Sequence, residues 1–544
     1  MKSKSVMLMA MVTTMVALLA ACGSSSSSIS KKSAVTYMQG DVLQTMDPAM
    51  ATDVISGQTM TDVYSGLLRW NKTKLEPDMA AKLPTVSKDQ KTYTFTLRKG
   101  AKWSDGKEVT AQDFVYAWKR AVDPKQKSEY AYIFSGVKNA DDILAGKKTA
   151  STLGIKALSK TKLQVQLDKV MPYFEKMITL QTFDPVEKSA VIKAGSKFGT
   201  NANTLTYNGP YKLGKWTGSE NTWTETKNSQ YWNAKKVSIK KIKYQVIKEN
   251  NTAYNLYTSG KADDVTVTGD TAAQAKNDKG YKVVKQNATY YLVPNLTKIP
   301  AFRNQKIRQA ISMSINRAEF IKKVLGNGSV PSKTVVPEDM MISSGGEDFA
   351  TDASKGITNS NYDLKKAKTL FKEGMKEAGL SDLSFTMLSD DTDTAKSTLD
   401  YLQSAVSALS QDGAKLTVKT KSVPFKTRLA LSTSGDFDMV ISAWSADFPD
   451  AISFLAMFTS DNSSNDGKWS NKQYDELIAA SKSTDATNTK KRWSDLVKAD
   501  QILAKDSGVI PLYQLGAAHL RNTKLQGVTV SPNSMINWVE ASYK

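Results

Sequence analysis

The chain has 544 residues, more than the roughly 250–300 at which a single hydrophobic core stops growing, so we expect several domains. With 40% hydrophobic and 23% charged residues, its composition is that of a globular protein and not of a disordered, collagen-like or multispanning membrane protein. The net charge of +21 is by itself compatible with nucleic acid, an anionic membrane or an anionic cell wall as a partner. One Cys and one His exclude a disulfide framework and Cys-rich or multi-His metal sites, so any metal would need oxygen ligands. We expect no metal and no cofactor.

The N-terminus has the layout of a secretory signal peptide. Lys2 and Lys4 precede an apolar run over residues 6–21, which is too short for a membrane-spanning helix. The run ends in the sequence LAAC at 19–22, which is similar to the lipobox of bacterial lipoproteins. We therefore predict a lipoprotein signal peptide over residues 1–21.

The only cysteine, Cys22, becomes the predicted site of lipid attachment, because the lipobox cysteine is acylated and the chain is cut just before it. A Ser-rich tether over residues 22–33 then links the acylated cysteine to the folded body. These features predict an extracytoplasmic protein, lipid-anchored to the outer face of the bacterial cell membrane. That location argues against cellular nucleic acid as a partner.

After the tether, segments with strand and helix periodicity alternate along the chain, which predicts mixed α/β lobes. Alternating apolar residues predict strands at 92–97, 162–167 and 241–246. Helical spacing predicts helices near 307–315, 367–371 and 399–409, with Thr110, Asn316 and Asp363 as helix N-caps. Because no internal repeat or long Pro-rich linker separates domains, we expect the lobes to be built from discontinuous segments.

Several motifs occur in the order and spacing of one known family. The chain resembles the large solute-binding lipoproteins of bacterial peptide ABC importers, the oligopeptide-binding family, in the segments DVYSGLL (62–68), LEPDMA (75–80), YTFTLR (93–98), WSDGKEVTAQDF (103–114), NGPY (208–211), SQYW (229–232), RQAIS (308–312) and WSADF (444–448). In their order and spacing, these segments are distributed along most of the mature chain.

The resemblance implies an α/β fold, a periplasmic-binding-protein type II clamshell of two lobes with an additional third domain. The implied division is a base lobe (34–74, 206–294 and 508–544), an additional domain (75–205) and a second lobe (295–507), with a hinge near Pro294 and Asn295. It also implies a monomer that captures extended oligopeptides between the lobes. The closed receptor would deliver them to ABC transporter permease subunits driven by a separate ATPase.

The strongest site candidate is the segment over residues 435–447, in which Phe437, Met439 and Ile441 alternate as in a strand. The resemblance implies that its end offers backbone to the peptide and that Asp447 pairs with the ligand α-ammonium group, an interaction that forms a short charge-assisted hydrogen bond. The peptide-contacting residues of this segment would be Ala443, Trp444, Ser445 and Asp447. The competing interpretations are a capping or surface carboxylate for Asp447 and a core position for Trp444.

Other candidates lie outside that segment. The resemblance matches Thr52, Asp53, Val54 and Ile55 to the segment that pairs with the opposite edge of the peptide, and Tyr116 to a tyrosine that reaches the ligand main chain. A plain surface loop competes with the first assignment, and core packing competes with the second. Phe425 and Tyr513 are further pocket candidates.

One departure from the family pattern concerns the far end of the ligand. In enteric relatives, basic residues meet the carboxylates of short peptides, and alignment on Trp444 places Ser432 and Ile441 at two such positions. Without those positive groups, the ligand C-terminus has no evident fixed anchor. The sequence therefore predicts tolerance of longer peptides and makes a dipeptide-only binder less favoured.

Three other functions compete with peptide capture. Catalysis is not expected, because His519 is the only histidine, Cys22 would be acylated and no carboxylate pair is selected by spacing. A different solute, such as a metal complex or a sugar, or a signalling peptide could occupy the same fold. An adhesin or nucleic-acid binder would use the basic surface, but lysine pairs such as Lys235 and Lys236 are scattered as on solvated faces.

Overall fold

The computed structural model describes residues 32–544, so the predicted signal peptide, Cys22 and most of the tether lie outside the described residues. The helices are α1 (Val54–Val63), α2 (Ala111–Ala121), α3 (Ala140–Leu144), α4 (Phe174–Met177), α5 (Lys188–Ala194), α6 (Asn250–Thr258), α7 (Gly269–Ala275), α8 (Gln305–Ser314), α9 (Arg317–Phe320), α10 (Phe349–Ala353), α11 (Leu364–Glu377), α12 (Asp393–Ser407), α13 (Phe425–Ser434), α14 (Ile452–Leu455), α15 (Lys472–Ser481) and α16 (Thr489–Asp506). The strands are β1 (Ala34–Gln39), β2 (Leu68–Asn71), β3 (Lys74–Pro77), β4 (Thr85–Val86), β5 (Thr92–Thr96), β6 (Ile155–Ser159), β7 (Lys162–Gln166), β8 (Tyr211–Leu213), β9 (Thr222–Lys227), β10 (Lys241–Val246), β11 (Asp264–Val267), β12 (Tyr281–Pro294), β13 (Val330–Pro331), β14 (Asp382–Ser389), β15 (Lys415–Ser422), β16 (Met439–Ser445), β17 (Ile510–Arg521), β18 (Leu525–Gln526), β19 (Thr529–Val530), β20 (Ile536–Asn537) and β21 (Ser542–Tyr543).

A large mixed sheet runs through the molecule in the order β15-β14-β16-β12-β17-β11-β1-β10-β9-β8. Strands from the two ends of the chain lie on either side of β11, which pairs with β1 on one edge and with β17 on the other, and β1 also pairs in parallel with β10. This sheet is therefore built from segments that lie far apart in the chain, and the discontinuous lobes stay a prediction.

The two long strands β12 and β17 join the two halves of this sheet. Residues 281–285, the first half of β12, pair with the end of β17 that also pairs with β11. The second half of β12, from Thr289, pairs with β17 on one side and with β16 on the other. The pairing between β12 and β17 is irregular between Lys285 and Thr289. The chain thus crosses from one half to the other inside β12, several residues before the predicted hinge at Pro294 and Asn295.

Pro294 and Asn295 are instead held within the second half of the sheet. Pro294 pairs with Met439 of β16, and the Asn295 side-chain amide donates to the carbonyls of Gly435 and Phe437, each at 3.0 Å. These contacts attach the residues just after the end of β12 to strand β16 and to the residues before it. The division into a base lobe, an additional domain and a second lobe remains a prediction, whose boundary at residue 294 falls after the crossing.

A separate antiparallel sheet, in the order β4-β5-β7-β6, lies within the segment predicted as the additional domain. Helix α2 packs beside it, and its Trp118 is fully buried, with the indole N–H donating to the carbonyl of Phe183 at 2.9 Å. Thr110 and Asp113 form a capping box at the start of α2, which confirms the predicted N-cap. Helix α2 therefore holds the additional sheet and the 181–183 turn together.

The other predicted elements form close to their expected positions. Strands β5, β7 and β10 match the three alternating segments, and in β10 the inward residues Ile242 and Tyr244 are fully buried. The side chains of Asn316 and Asp363 accept backbone N–H groups at the starts of α9 and α11, which confirms both N-caps. Within residues 32–544, no helix is long and apolar enough to span a membrane.

Candidate ligand-binding site

A cavity of about 450 Å³ lies between the halves of the molecule and is the main candidate site. One wall comes from β16, α13 and the loop over residues 463–466, and the opposite wall comes from residues 52–54 and the C-terminal segment 533–536. The predicted additional domain contributes Glu129 and Tyr130. Cavities of this size bind small molecules and peptides.

Asp447, which follows the end of β16, is the most unusual polar group in the cavity wall. It is 5% exposed, and its Oδ1 accepts a hydrogen bond from the Tyr130 hydroxyl. Its Oδ2 is buried without a hydrogen-bond partner among the described residues. Burial raises the pKa of Asp447 to about 7, and the hydrogen bonds from Tyr130 and Ser453 only partly oppose this. The cavity therefore contains a carboxylate oxygen that lacks a hydrogen-bond donor, and a cationic group of a ligand can supply that donor.

The free edge of β16 is the second feature of this wall. On one side, β16 pairs with β12 as far as Ser445, but on the other side β14 pairs only with Met439 and Val440. Residues 441–445 therefore have no strand partner on that side within the described part of the chain. An unpaired edge next to a cavity can add an extended peptide as a new strand.

The opposite wall is the start of helix α1. Asp53 is its N-cap and accepts the backbone N–H groups of Ile55 at 3.0 Å and Ser56 at 2.9 Å. Thr52, Asp53 and Val54 line the cavity, and the Val54 side chain is exposed. Asp53 thus has a structural role as the helix cap, which was not predicted from the sequence, in addition to its position on the cavity wall.

Aromatic side chains form much of the remaining surface. Trp444 lines the cavity with its ring 6.1 Å from that of Tyr130, and its indole N–H is buried without a partner among residues 32–544. Tyr513 lies stacked on Tyr290 at 4.7 Å, and Phe425 begins α13. The structure therefore places Ala443, Trp444, Ser445, Asp447, Thr52, Asp53, Val54, Phe425 and Tyr513 on one cavity.

Two predicted site residues are not part of that cavity. Tyr116 lies in α2 of the additional domain, half-buried beside Lys188 of α5, whose ammonium group is 5.8 Å from the centre of the ring. It packs between these helices because the inward face of α2 belongs to residues such as Phe114 and Trp118. Ile55 is buried in the core within α1 and does not line the cavity.

Tyr130, whose hydroxyl donates to Asp447, was not predicted from the sequence. Tyr130 is 3% exposed, directly precedes a 3₁₀ turn over Ala131–Phe134 and lines the cavity. No helical or strand periodicity marks a residue in such a turn. The only signal in the sequence is the clustering of Tyr130 and Tyr132 between two longer elements.

Arg428 is a second cavity residue that was not predicted from the sequence. Ser432 and Ile441 line the cavity as neutral residues, in agreement with the noted departure, but Arg428 lies one helical turn before Ser432 on α13. It is the one basic residue on this cavity wall among residues 32–544. The expectation that the ligand C-terminus meets no fixed positive group therefore does not follow from Ser432 and Ile441 alone.

No group of three or more His, Cys, Asp or Glu side chains within residues 32–544 is arranged to hold a metal ion. The cavity instead combines a carboxylate with an unpartnered oxygen, a guanidinium, aromatic rings and a free strand edge. Such a combination of groups can bind an extended polar ligand with charged ends.

Comparisons with known proteins identify the family. A sequence profile described as "Bacterial extracellular solute-binding proteins, family 5 Middle" matches residues 74–466. The chain belongs to this family. It is 36% identical over 540 residues to a dipeptide-binding protein of Lactococcus lactis subsp. cremoris. The aligned region covers 97% of this chain and 96% of that protein. It is 32% identical to the oligopeptide-binding protein OppA of Bacillus subtilis, over 92% of this chain and 90% of OppA.

Solved structures confirm the type II periplasmic-binding-protein fold. Listeria monocytogenes OppA bound to peptide superposes with a TM-score of 0.89 at 34% identity, covering 94% of this chain and 99% of that one. An unliganded open form of the periplasmic murein tripeptide-binding protein MppA gives only 0.62 at 28% identity. The lobes of this protein are therefore arranged as in the peptide-bound relative.

Proposed function

We propose that this protein is the peptide-binding component of an ABC importer and captures extended peptides in the cavity between its lobes. The observation that carries the proposal is the buried Oδ2 of Asp447, which has no partner among the described residues. In the proposed complex, the α-ammonium group of the peptide donates a hydrogen bond to this oxygen. The peptide-binding names of the relatives in the same family support this assignment.

The peptide main chain would bind along the free edge of β16. Backbone groups at Ala443 and Ser445 would pair with the ligand from one side, and residues 52–54 would contact it from the other. Hydrogen bonds between main chains do not depend on the ligand's side chains, so this mode supports capture of peptides with many sequences. The unpartnered indole N–H of Trp444 would donate to the ligand in the same region.

Export and lipid attachment at Cys22 complete the proposal. The acyl chains would hold the monomeric receptor at the outer face of the membrane, where the closed form docks on permease subunits driven by a separate ATPase. In a membrane fractionation, Cys22→Ser should shift the protein into the soluble fraction. An unchanged membrane fraction would contradict the anchor and leave peptide binding unaffected.

Calorimetry of the mature protein with peptides of graded length tests the binding function. Asp447→Asn should weaken peptides with a free amino group about 10- to 100-fold, because it removes a charge-assisted hydrogen bond from a desolvated site. N-acetylated peptides should be affected much less. Asp412→Asn, at the exposed surface of the predicted second lobe, serves as the matched control. Equal losses for free and acetylated peptides would remove the assigned role of Asp447, and no binding at any length would refute peptide capture.

A further inference from the structure

We propose that the outward side of strands β8, β9 and β10 docks on an anionic phospholipid membrane and orients the receptor on the bilayer that carries its lipid anchor. The inference goes beyond peptide capture. It rests on the proposed anchoring at Cys22 for its location and extends that proposal from attachment to orientation. We call this surface the lysine face, and its members are Lys212, Lys235, Lys236, Lys240, Lys241 and Lys243.

The strand register brings three of these lysines together. Lys241 of β10 pairs with Thr226 of β9, and Thr226 pairs with Lys212 of β8. Lys243 lies two residues further along β10 and pairs with Thr224. Lys241 and Lys243 are exposed, and Lys212 is half-buried. Because paired residues, and residues two apart in a strand, point to the same side of a sheet, the three lysines share one side.

The lysine face lies on the side of the sheet opposite the ligand cavity. On strand β1, Thr36 pairs with Lys243, whereas the next residue, Tyr37, pairs with Tyr244 and lines the cavity. Successive residues of a strand point to opposite sides, so the lysines point away from the side that carries Tyr37. A membrane bound to the lysine face would therefore leave the cavity uncovered.

The positive charge of this face is not neutralised by neighbouring carboxylates. Residues 212–243 contain eight lysines and two glutamates. Glu225 is fully buried on the inner side of the sheet, and Glu220 accepts the backbone N–H of Thr217 in its own loop at 2.8 Å. In the described part of the chain, no member of the lysine face takes part in a salt bridge. An uncompensated positive surface of this kind attracts anionic partners.

A strand of the predicted second lobe shows how exposed lysines are neutralised elsewhere in this protein. Lys415 of β15 pairs with Asp382 of β14, and its ammonium group lies 3.1 Å from Asp412. The predicted second lobe as a whole has 28 Lys and Arg residues and 27 Asp and Glu residues, whereas the predicted base lobe has 20 and 12. The excess positive charge is therefore almost absent from the second lobe, and in the base lobe much of it lies on and around the lysine face.

The position of the proposed lipid anchor selects a membrane as the partner. Strand β1 begins at Ala34, which pairs with Lys241, and the Ser33 carbonyl accepts the backbone N–H of Lys240 at 2.6 Å. Cys22 lies eleven residues before Ser33, a distance of at most about 40 Å in a fully extended chain. An acyl group at Cys22 would therefore keep the lysine face near the bilayer, where each lysine strengthens binding to anionic lipid roughly fivefold.

Flotation with lipid vesicles tests the proposal on the mature chain carrying Cys22→Ser, which has no acyl group. In about 25 mM salt, the protein should bind vesicles containing about 40% phosphatidylglycerol and should not bind vesicles of phosphatidylcholine alone. Raising the salt to about 300 mM should weaken binding at least tenfold, because salt screens exposed charges. Saturating peptide should leave vesicle binding unchanged, because the lysine face lies on the side away from the cavity.

Substitutions on the lysine face should remove this binding. The triple variant Lys212→Gln, Lys241→Gln and Lys243→Gln should bind phosphatidylglycerol vesicles roughly 30- to 100-fold more weakly than the parent chain. A second variant, Lys235→Gln with Lys236→Gln, leaves the strands unchanged and should weaken binding roughly 10-fold. This loop variant decides the question if the strand variant does not fold.

The matched control removes the same number of charges from the other end of the large sheet. Lys415→Gln, Lys419→Gln and Lys421→Gln lie at exposed positions of β15, the edge strand opposite β8. This triple variant should change vesicle binding by less than about threefold, because the substituted charges are far from the docked surface. Calorimetry with a peptide checks that all variants keep an intact cavity.

The vesicle assays depend neither on peptide capture nor on the acyl anchor, so failure of either proposal is recognised separately. If phosphatidylglycerol vesicles do not bind in low salt, or if both triple variants lose binding equally, the lysine face is not a membrane-docking surface. Binding to a soluble glycerol-phosphate polymer without binding to vesicles would also overturn the proposal. Membrane fractionation in about 300 mM salt suppresses the contribution of the lysine face and reports on the anchor at Cys22 alone.

Discussion

The protonation of Asp447 couples ligand binding to pH. Burial raises its pKa to about 7 in the closed cavity, whereas a ligand ammonium group favours the charged carboxylate. Below pH 7, binding must therefore expel a proton from Asp447, so affinity for a free-amine peptide should fall as pH drops from 7 to 5. Above about pH 8 the ligand's own amino group loses its proton, which lowers affinity again.

Calorimetry in buffers of different ionisation enthalpy checks this directly. At pH 6 the wild-type protein should release close to one proton for each peptide bound, and Asp447→Asn should release none. A flat affinity between pH 5 and 7, or the same proton release in the variant, would contradict the assigned coupling.

At the scale of single elements, the start of helix α1 has two roles that can be separated. Asp53 caps the helix through two backbone N–H groups, so Asp53→Ala should lower the free energy of unfolding by about 0.5–2 kcal/mol. Asp53→Asn keeps an acceptor at the cap and should preserve stability. Thermal unfolding of both variants, with calorimetry of the same samples, measures the two effects. Loss of peptide binding in the Asn variant at full stability would show that the Asp53 charge itself contacts the ligand.

The elements of this fold were predicted well wherever local chemistry determines them. The capping box of Thr110 and Asp113 and the buried alternation of Ile242 and Tyr244 depend on neighbouring residues, so the sequence alone was sufficient. The crossing between the halves of the sheet lies before Pro294, and the hinge near Pro294 and Asn295 stays a prediction. The pairing of β12 with β16 and β17 is a long-range property, and no local pattern marks the irregular stretch before Thr289.

The candidate site was predicted in part, for a related reason. Asp447 and its strand could be located because a strand pattern and a family motif coincide there. Tyr130 and Arg428 could not, because each reaches the cavity through tertiary contacts, with Asp447 and Asp390 respectively. Tyr116 does not line the cavity, since helix periodicity permits an inward aromatic residue without identifying which neighbour it meets; the contact of Tyr116 with the ligand stays a prediction.

At the scale of the whole molecule, contacts between the predicted base lobe and the predicted second lobe stabilise the closed arrangement. Lys248, from the predicted base lobe, lies 2.6 Å from Asp391 of the predicted second lobe and 3.1 Å from Asp41 of its own lobe. Asp41 also accepts the backbone N–H of Phe425 at 3.1 Å, which links the two lobes a second time. These contacts must break when the cavity opens to admit or release a ligand.

Removing this link should shift the population toward the open form. Lys248→Met keeps the aliphatic stem but loses both ion pairs, and a partly buried pair contributes on the order of 1 kcal/mol, so peptide affinity should fall about 3- to 10-fold. Small-angle scattering of the ligand-free variant should give a larger radius of gyration than wild type, and saturating peptide should restore the wild-type value. Lys306→Met is the matched control, because Lys306 also bridges two carboxylates, Glu373 and Glu377, but entirely within the predicted second lobe. If both variants match the wild-type radius and affinity, the Lys248 contacts do not influence closure, and the closed arrangement depends on the remaining contacts between the lobes.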